Sequence, residues 1–142
     1  MTSSVVSDGS LIPLVVEESV RRHTPSKGLF RRTTRPVSVG GVEVPEGALL
    51  HVLWGAANTD AAKFPEPLRF DPRRENLGDH VGFGRGTHFC LGAPLAKLQG
   101  RVALETLLAR LPELEVVPGQ ELAYAPALTN VSLLGLQVRW PV

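Results

Sequence analysis

The chain has 142 residues, 43% of them hydrophobic, a length and composition for one domain with a packed core and not for a disordered tail. One cysteine excludes an intrachain disulfide framework while leaving a thiol for chemistry; with no signal peptide and no bilayer-length apolar run, a soluble, cytoplasmic protein without a membrane role is expected. Formal charge is only +1, yet Arg21, Arg22, Lys27, Arg31, Arg32 and Arg35 stand together without an acid among them, so the mean conceals one basic block.

Twelve prolines and fourteen glycines spread along the chain predict short elements with many turns. Residues 1–10 are small, polar and aperiodic, and are expected to form a flexible terminus, with the folded part over 11–142. From Pro13 a helix is predicted, carrying Leu14, Val15, Val16 and Val20 and halted soon after by Pro25. Glu18 and Arg21 share a face of it; as an exposed pair they would contribute roughly 0.2–0.5 kcal/mol. His23 to Arg35 reads as a basic loop, either solvated or an anion site, because guanidinium groups pair bidentately with carboxylates and phosphates. Nucleic acid is not expected there: the block is short, Phe30 is its only aromatic residue, and the domain is not basic overall.

Val37, Val39, Val42 and Val44 bracket Gly40-Gly41 and predict a hairpin. Pro45-Glu46-Gly47 then turns into Ala48 to Trp54, an apolar run expected to be a buried strand, and Gly55 to Asp60 suits one helical turn. Lys63 to Arg74 carries Pro65, Pro67 and Pro72 and must run irregularly; Arg69, between Leu68 and Phe70, is the polar group expected to turn inward. Leu95, Leu98, Val102, Leu107, Leu108 and Leu111 recur at helical steps and predict a helix from Ala93 to Arg110, with Lys97, Arg101 and Arg110 facing solvent. At the C-terminus Leu134, Leu136, Val138 and Trp140 alternate with other residues as a strand would.

Between the irregular stretch and the long helix lies Phe83-Gly84-Arg85-Gly86-Thr87-His88-Phe89-Cys90-Leu91-Gly92. Cys90 stands just before a helix, where free backbone N–H groups and the positive dipole end favour a thiolate. Gly84, Gly86 and Gly92 remove bulk around it, which allows a tight turn or a flat object against the backbone. A thiolate beneath a flat object suggests haem, whose iron such a ligand tunes toward O–O bond cleavage. His88 and the arginines near residue 31 are candidates for the haem carboxylates. Zinc would need more ligands than one cysteine and scattered histidines offer. A cysteine nucleophile with His51, His80 or His88 lacks an orienting third group, and Gly84-x-Gly86 lacks the setting of a dinucleotide site.

The stretch FGRGTHFCLG resembles the cysteine-ligand loop of the cytochromes P450, F-x-x-G-x-x-x-C-x-G, at Phe83, Gly86, Cys90 and Gly92, and its continuation APLAKLQGRVAL resembles the soluble bacterial branch. Glu18-Ser19-Val20-Arg21 resembles the family's E-x-x-R helix, Pro67-Leu68-Arg69-Phe70 its P-E-R-F segment with Leu for Glu, and NTDAAKFPEPLRFDPRR the meander before the loop. The resemblance implies an α+β fold with haem b as cofactor. Cys90 would be the proximal iron ligand, Phe83, Gly84 and Gly92 would lie beside the cofactor, and His88 and Arg31 would bind its propionates. Glu18, Arg21 and Arg69 would form a buried structural triad. Residues 25–30 and 128–131 would touch substrate, and Lys97 and Arg101 would meet an acidic, ferredoxin-type electron donor.

The likeness runs from about Ser7 to the C-terminus and corresponds to the last third of a family member. The distal helix with its acid-alcohol pair has no counterpart in it, so no catalytic residue is assigned, and a haem-ligand fragment of a monooxygenase, inactive alone, is expected. A complementing N-terminal chain would complete it. The alternatives are a non-enzymatic haem-binding module and a haem-free remnant that forms a homo-oligomer.

Overall fold

The computed structural model describes residues 8–141. Of the terminus expected over 1–10, residues 1–7 lie outside the described ones, while Gly9–Leu11 form a 3-10 turn capped by the Asp8 carboxylate, which accepts the Ser10 N–H at 3.1 Å. Helix α1 follows (Ile12–His23), with Pro13 in its first turn and Arg21, Arg22 and His23 in its last, where cations suit the dipole. It ends at Thr24, whose φ of +37° is a left-handed conformation that β-branched residues avoid. The Thr24 hydroxyl donates to the Arg21 carbonyl (2.8 Å) and accepts from Asn58 Nδ2 (2.9 Å), which holds it there.

The basic stretch expected to be a loop contains a strand, β1 (Leu29–Arg32), paired antiparallel with β4 (Leu49–Val52) in the register Leu29↔Val52 to Arg32↔Leu49. Cross-strand pairing supplies what its unpatterned side chains do not signal: the Phe30 and His51 rings stack with centroids 4.4 Å apart. Strand β4 was expected to be buried, but Leu49 is 62% exposed, because the ladder has only two strands. Between them β2 (Val37–Val39) and β3 (Val42–Val44) form the hairpin anticipated around Gly40 and Gly41, both at positive φ.

Helix α2 (Trp54–Ala57) is one turn, and the proline-rich stretch after it holds no regular ladder. The 3-10 turns Leu77–Asp79 and Gly86–His88 lead into α3 (Ala93–Arg110), whose bounds are those expected, with Pro94 in the first turn. Strands β5 (Glu115–Val116) and β6 (Val138–Arg139) pair antiparallel. The longer C-terminal strand is not formed: Leu134, Leu136 and Trp140 are all exposed, since alternation needs a partner ladder along its length and here that ladder is two residues long. The architecture is α+β, with three separate two-stranded ladders beside two long helices and the single turn of α2 among the described residues. Among the described residues no helix is long and apolar enough to cross a membrane.

The helices meet closely where α3 has no side chain: a β-carbon on Gly100 would stand 3.2 Å from both Val16 methyls. Lys97, expected to face solvent, therefore lies on the α1 side, with its ammonium 2.5 Å from Glu17. Leu95, Leu98, Val102 and Leu107, the apolar stripe from which the helix is read, are exposed. The buried interior is instead mixed, with Leu11, Ile12, Phe64, Leu77 and Ala93 beside Glu18, Arg21, Thr24 and Asn58.

Candidate functional site

The loop before α3 closes on itself. The Cys90 N–H donates to the Phe83 carbonyl (2.9 Å), Gly84 N–H to Val81 (2.8 Å), Phe89 N–H to Gly86 (2.9 Å), and Ala93 N–H to the Cys90 carbonyl (3.1 Å). Gly84 and Gly86 take φ of +73° and +76°, values that side chains resist, and a β-carbon on Gly84 would rest against the Trp54 indole at 3.4 Å. Gly92 is different. Its φ is an ordinary −81°, and a β-carbon there would meet nothing within 4 Å except the Cys90 sulfur at 3.9 Å. The loop's own fold does not require that glycine; it keeps the space beside the sulfur open. The Cys90 thiol is free and exposed, directly ahead of α3.

Phe83 is half-buried under a cation and two rings: Lys97 Nζ stands 5.4 Å from its centroid, with His80 and Phe89 at 6.1 and 6.4 Å. Arg31, on β1, is brought to the loop, for it lines with Trp54, Val81 and Arg85 a cavity of about 350 Å³. His88 is exposed on the 3-10 turn and does not line that cavity.

Beneath the loop sits a buried polar lock. Arg21 donates through Nε and Nη2 to the Glu18 carboxylate (2.6 and 2.8 Å), and through its terminal nitrogens to the carbonyls of Asn58 (2.7 Å) and Pro67 (3.0 Å), with the Phe64 ring 5.2 Å below. Both residues are fully buried. Arg69, expected as the third member, is not there: its guanidinium points outward to Glu66 (3.0 Å) and only its carbonyl faces the cluster. Arg74 takes the place, with Nε 3.3 Å from Glu18 and the side chain 7% exposed. The irregular backbone turns the two arginines opposite ways, so that Arg74 also gathers the carbonyls of Glu66 and Arg69. Burial pushes the Glu18 carboxyl up, but Arg21, the Asp71 N–H and Arg74 outweigh it and hold it below the ordinary carboxylate range.

Two further residues tie α1 and its lock to the loop without having been singled out for it by sequence. Asn58 accepts the Val81 N–H (2.7 Å) while donating to Thr24. Glu17, next to Glu18, binds His80 and Lys97. A signal for Arg74 existed, since Pro72-Arg73-Arg74 repeats the Pro-x-Arg pattern of Pro67-Leu68-Arg69 five residues on. Asn58 and Glu17 carry no such mark, because their partners are distant in sequence.

The cytochrome P450 family model matches residues 4–133 of this chain. Cytochrome P450 107B1 of Saccharopolyspora erythraea is 47% identical over 111 residues, which are 78% of this chain and 27% of that protein. The 6-deoxyerythronolide B hydroxylase of the same organism is 45% identical over 109 residues, 77% of this chain and 27% of that one. Among solved structures, HmtN, a post-tailoring hydroxylase of himastatin biosynthesis, superimposes with a TM-score of 0.90 at 43% identity, covering 98% of this chain and 37% of its own. The chain thus spans about a quarter of the length of these curated relatives.

Proposed function

Because the chain belongs to the cytochrome P450 family, we propose that Cys90 is the proximal iron ligand of haem b and that residues 8–141 form the ligand side of a monooxygenase site. The observation that carries this is the open space at Gly92 beside an exposed, unpaired thiol ahead of α3. That space fits a flat group lying against the loop, and the helix end favours a sulfur anion to hold it. Arg31 and His88 would bind the propionates; Arg85, on the same cavity wall as Arg31, adds a second cation for them. Gly84 and Phe83 hold the loop's shape against Trp54 and Lys97.

Haem bound through a thiolate supplies the activation of dioxygen for insertion into an organic substrate. What this chain contributes is the sulfur, the carboxylate-binding cations and the rigid bed beneath them; no catalytic acid or base is assigned to it. The rest of the P450 fold, in the same polypeptide or as a complementing chain, would cover the exposed leucines of α3 and supply the oxygen side. Arg101, half-exposed and 3.6 Å from Glu105, is a surface cation available to an acidic, ferredoxin-type electron donor. Lys97 is less available, being engaged by Glu17.

The test is spectroscopic. Haem is added to the purified chain, reduced and exposed to carbon monoxide. A red-shifted Soret band of thiolate ligation is expected, and Cys90→Ala should abolish it. Identical spectra from the two proteins would refute the ligand assignment.

A further inference from the structure

Both legs of the cysteine loop end on one carboxylate. On the incoming leg, His80 Nε2 lies 2.9 Å from Glu17 Oε2, and the imidazole is almost wholly buried. Its other nitrogen, Nδ1, accepts the Gly82 N–H at 3.1 Å, so Nε2 carries the proton that is donated to Glu17. On the outgoing leg, Lys97, one turn into α3, places its ammonium 2.5 Å from Glu17 Oε1. The same ammonium lies over the Phe83 ring, and the Phe83 carbonyl receives the Cys90 N–H. The incoming leg also rests on α1 one turn further along: a β-carbon on Gly82 would come within 2.5 Å of a Val20 methyl, so that leg has no room to shift toward the helix.

We propose that Glu17 is a positioning residue for Cys90, its carboxylate joining His80 and Lys97 so that the two legs of the loop stand in one register and Lys97 stays over Phe83. The proposal deepens the haem-thiolate assignment but concerns the loop itself, and it is readable without haem. Burial pushes the Glu17 carboxyl up, while the bonds from Lys97 and His80 outweigh it and bring it below the ordinary carboxylate range, so the clamp is charged near neutrality. Glu17 lies in sequence beside the Glu18 lock but serves a different partner: Glu18 fixes the meander, Glu17 the loop.

The test compares the full chain with Glu17→Ala, reading hydrogen exchange at the Cys90, Gly84 and Phe89 amides, with the β2–β3 hairpin amides as an internal control. Exchange in the loop should quicken about tenfold, the size expected when a charge-assisted hydrogen bond is lost, while the hairpin stays unchanged. Lys97→Met should reproduce part of the effect and Lys97→Arg should rescue it; combined with Lys97→Met and His80→Phe, Glu17→Ala has nothing left to release and should add less than about twofold. Unchanged loop exchange, or equal quickening of loop and hairpin, would overturn the proposal. With haem and carbon monoxide added, Glu17→Ala should lower the thiolate-type fraction of the wild-type spectrum. A wild type without that band, together with quickened loop exchange, would sink the haem assignment and leave the clamp standing.

Discussion

The buried lock under α1 and the outer face of α3 invert the usual distribution of residues. In the lock, Glu18, Arg21 and Asn58 are fully buried, and among the described residues no buried side-chain polar atom lacks a partner. On α3, Leu95, Leu98 and Val102 face outward. The difference teaches where the order of this chain comes from. A proline-rich meander cannot hydrogen-bond itself into a ladder, so a guanidinium fork gathers its carbonyls; a single helix face, by contrast, gains nothing from its leucines until something covers them.

The largest break in that contrast is expected from Arg21→Ala. It strands the Glu18 charge and frees the carbonyls of Asn58 and Pro67, and should cost about 3–5 kcal/mol in denaturant unfolding. Acid should act on the same point. Since the folded-state acidity of Glu18 lies below the ordinary carboxylate range, its contribution is fully present above that range and is lost as pH falls through the folded value. The carboxylate contribution should therefore be level from neutrality down to roughly pH 5 and fall steeply below about pH 4, with Glu17 adding to the slope, while His23, held below the ordinary histidine range mainly by burial, adds a shallower fall in the unfolding midpoint below about pH 6.5. A midpoint independent of pH would contradict the ionised lock.

A smaller effect sharpens its membership. Arg74→Ala removes a nearly buried partner of Glu18 and should cost about 1–3 kcal/mol, whereas Arg69→Ala touches an exposed pair and should stay within about 0.5 kcal/mol. Equal costs would mean that the two arginines share the role. Smallest of all should be Val102→Ser on α3, within about 0.5 kcal/mol in denaturant unfolding, because the residue is exposed.

These unequal regions were also unequally legible. The ends of α3 could be read because Pro94 and Pro112 punctuate a helical repeat, and the hairpin because Gly40-Gly41 marks its turn. Glu18 and Arg21 were visible as a helical pair, but nothing in their spacing says that the pair is buried. The resemblance points to Arg69 where Arg74 stands, because aperiodic backbone does not reveal which way a side chain points and the two share one local pattern. The leucine stripe of α3 was readable as a stripe; which side meets α1 was decided by Gly100 and Val16, a contact between distant segments. Strand β1 escaped because its residues do not alternate, its structure being imposed by β4.

Thr24 carries a consequence for the order of folding. The last turn of α1 could close locally, yet its end is a strained corner held partly by Asn58 Nδ2, 34 residues away along the chain. The corner gains this support only once the two intervening strands, the hairpin and α2 have brought Asn58 back, so that one bond, unlike the local Thr24 N–H to Val20 bond, has the entropy of a long loop to overcome. Thr24→Gly, which relaxes the backbone but removes the hydroxyl, should leave the helix end less strained and Asn58 less firmly held, which faster hydrogen exchange at the Val81 amide would show.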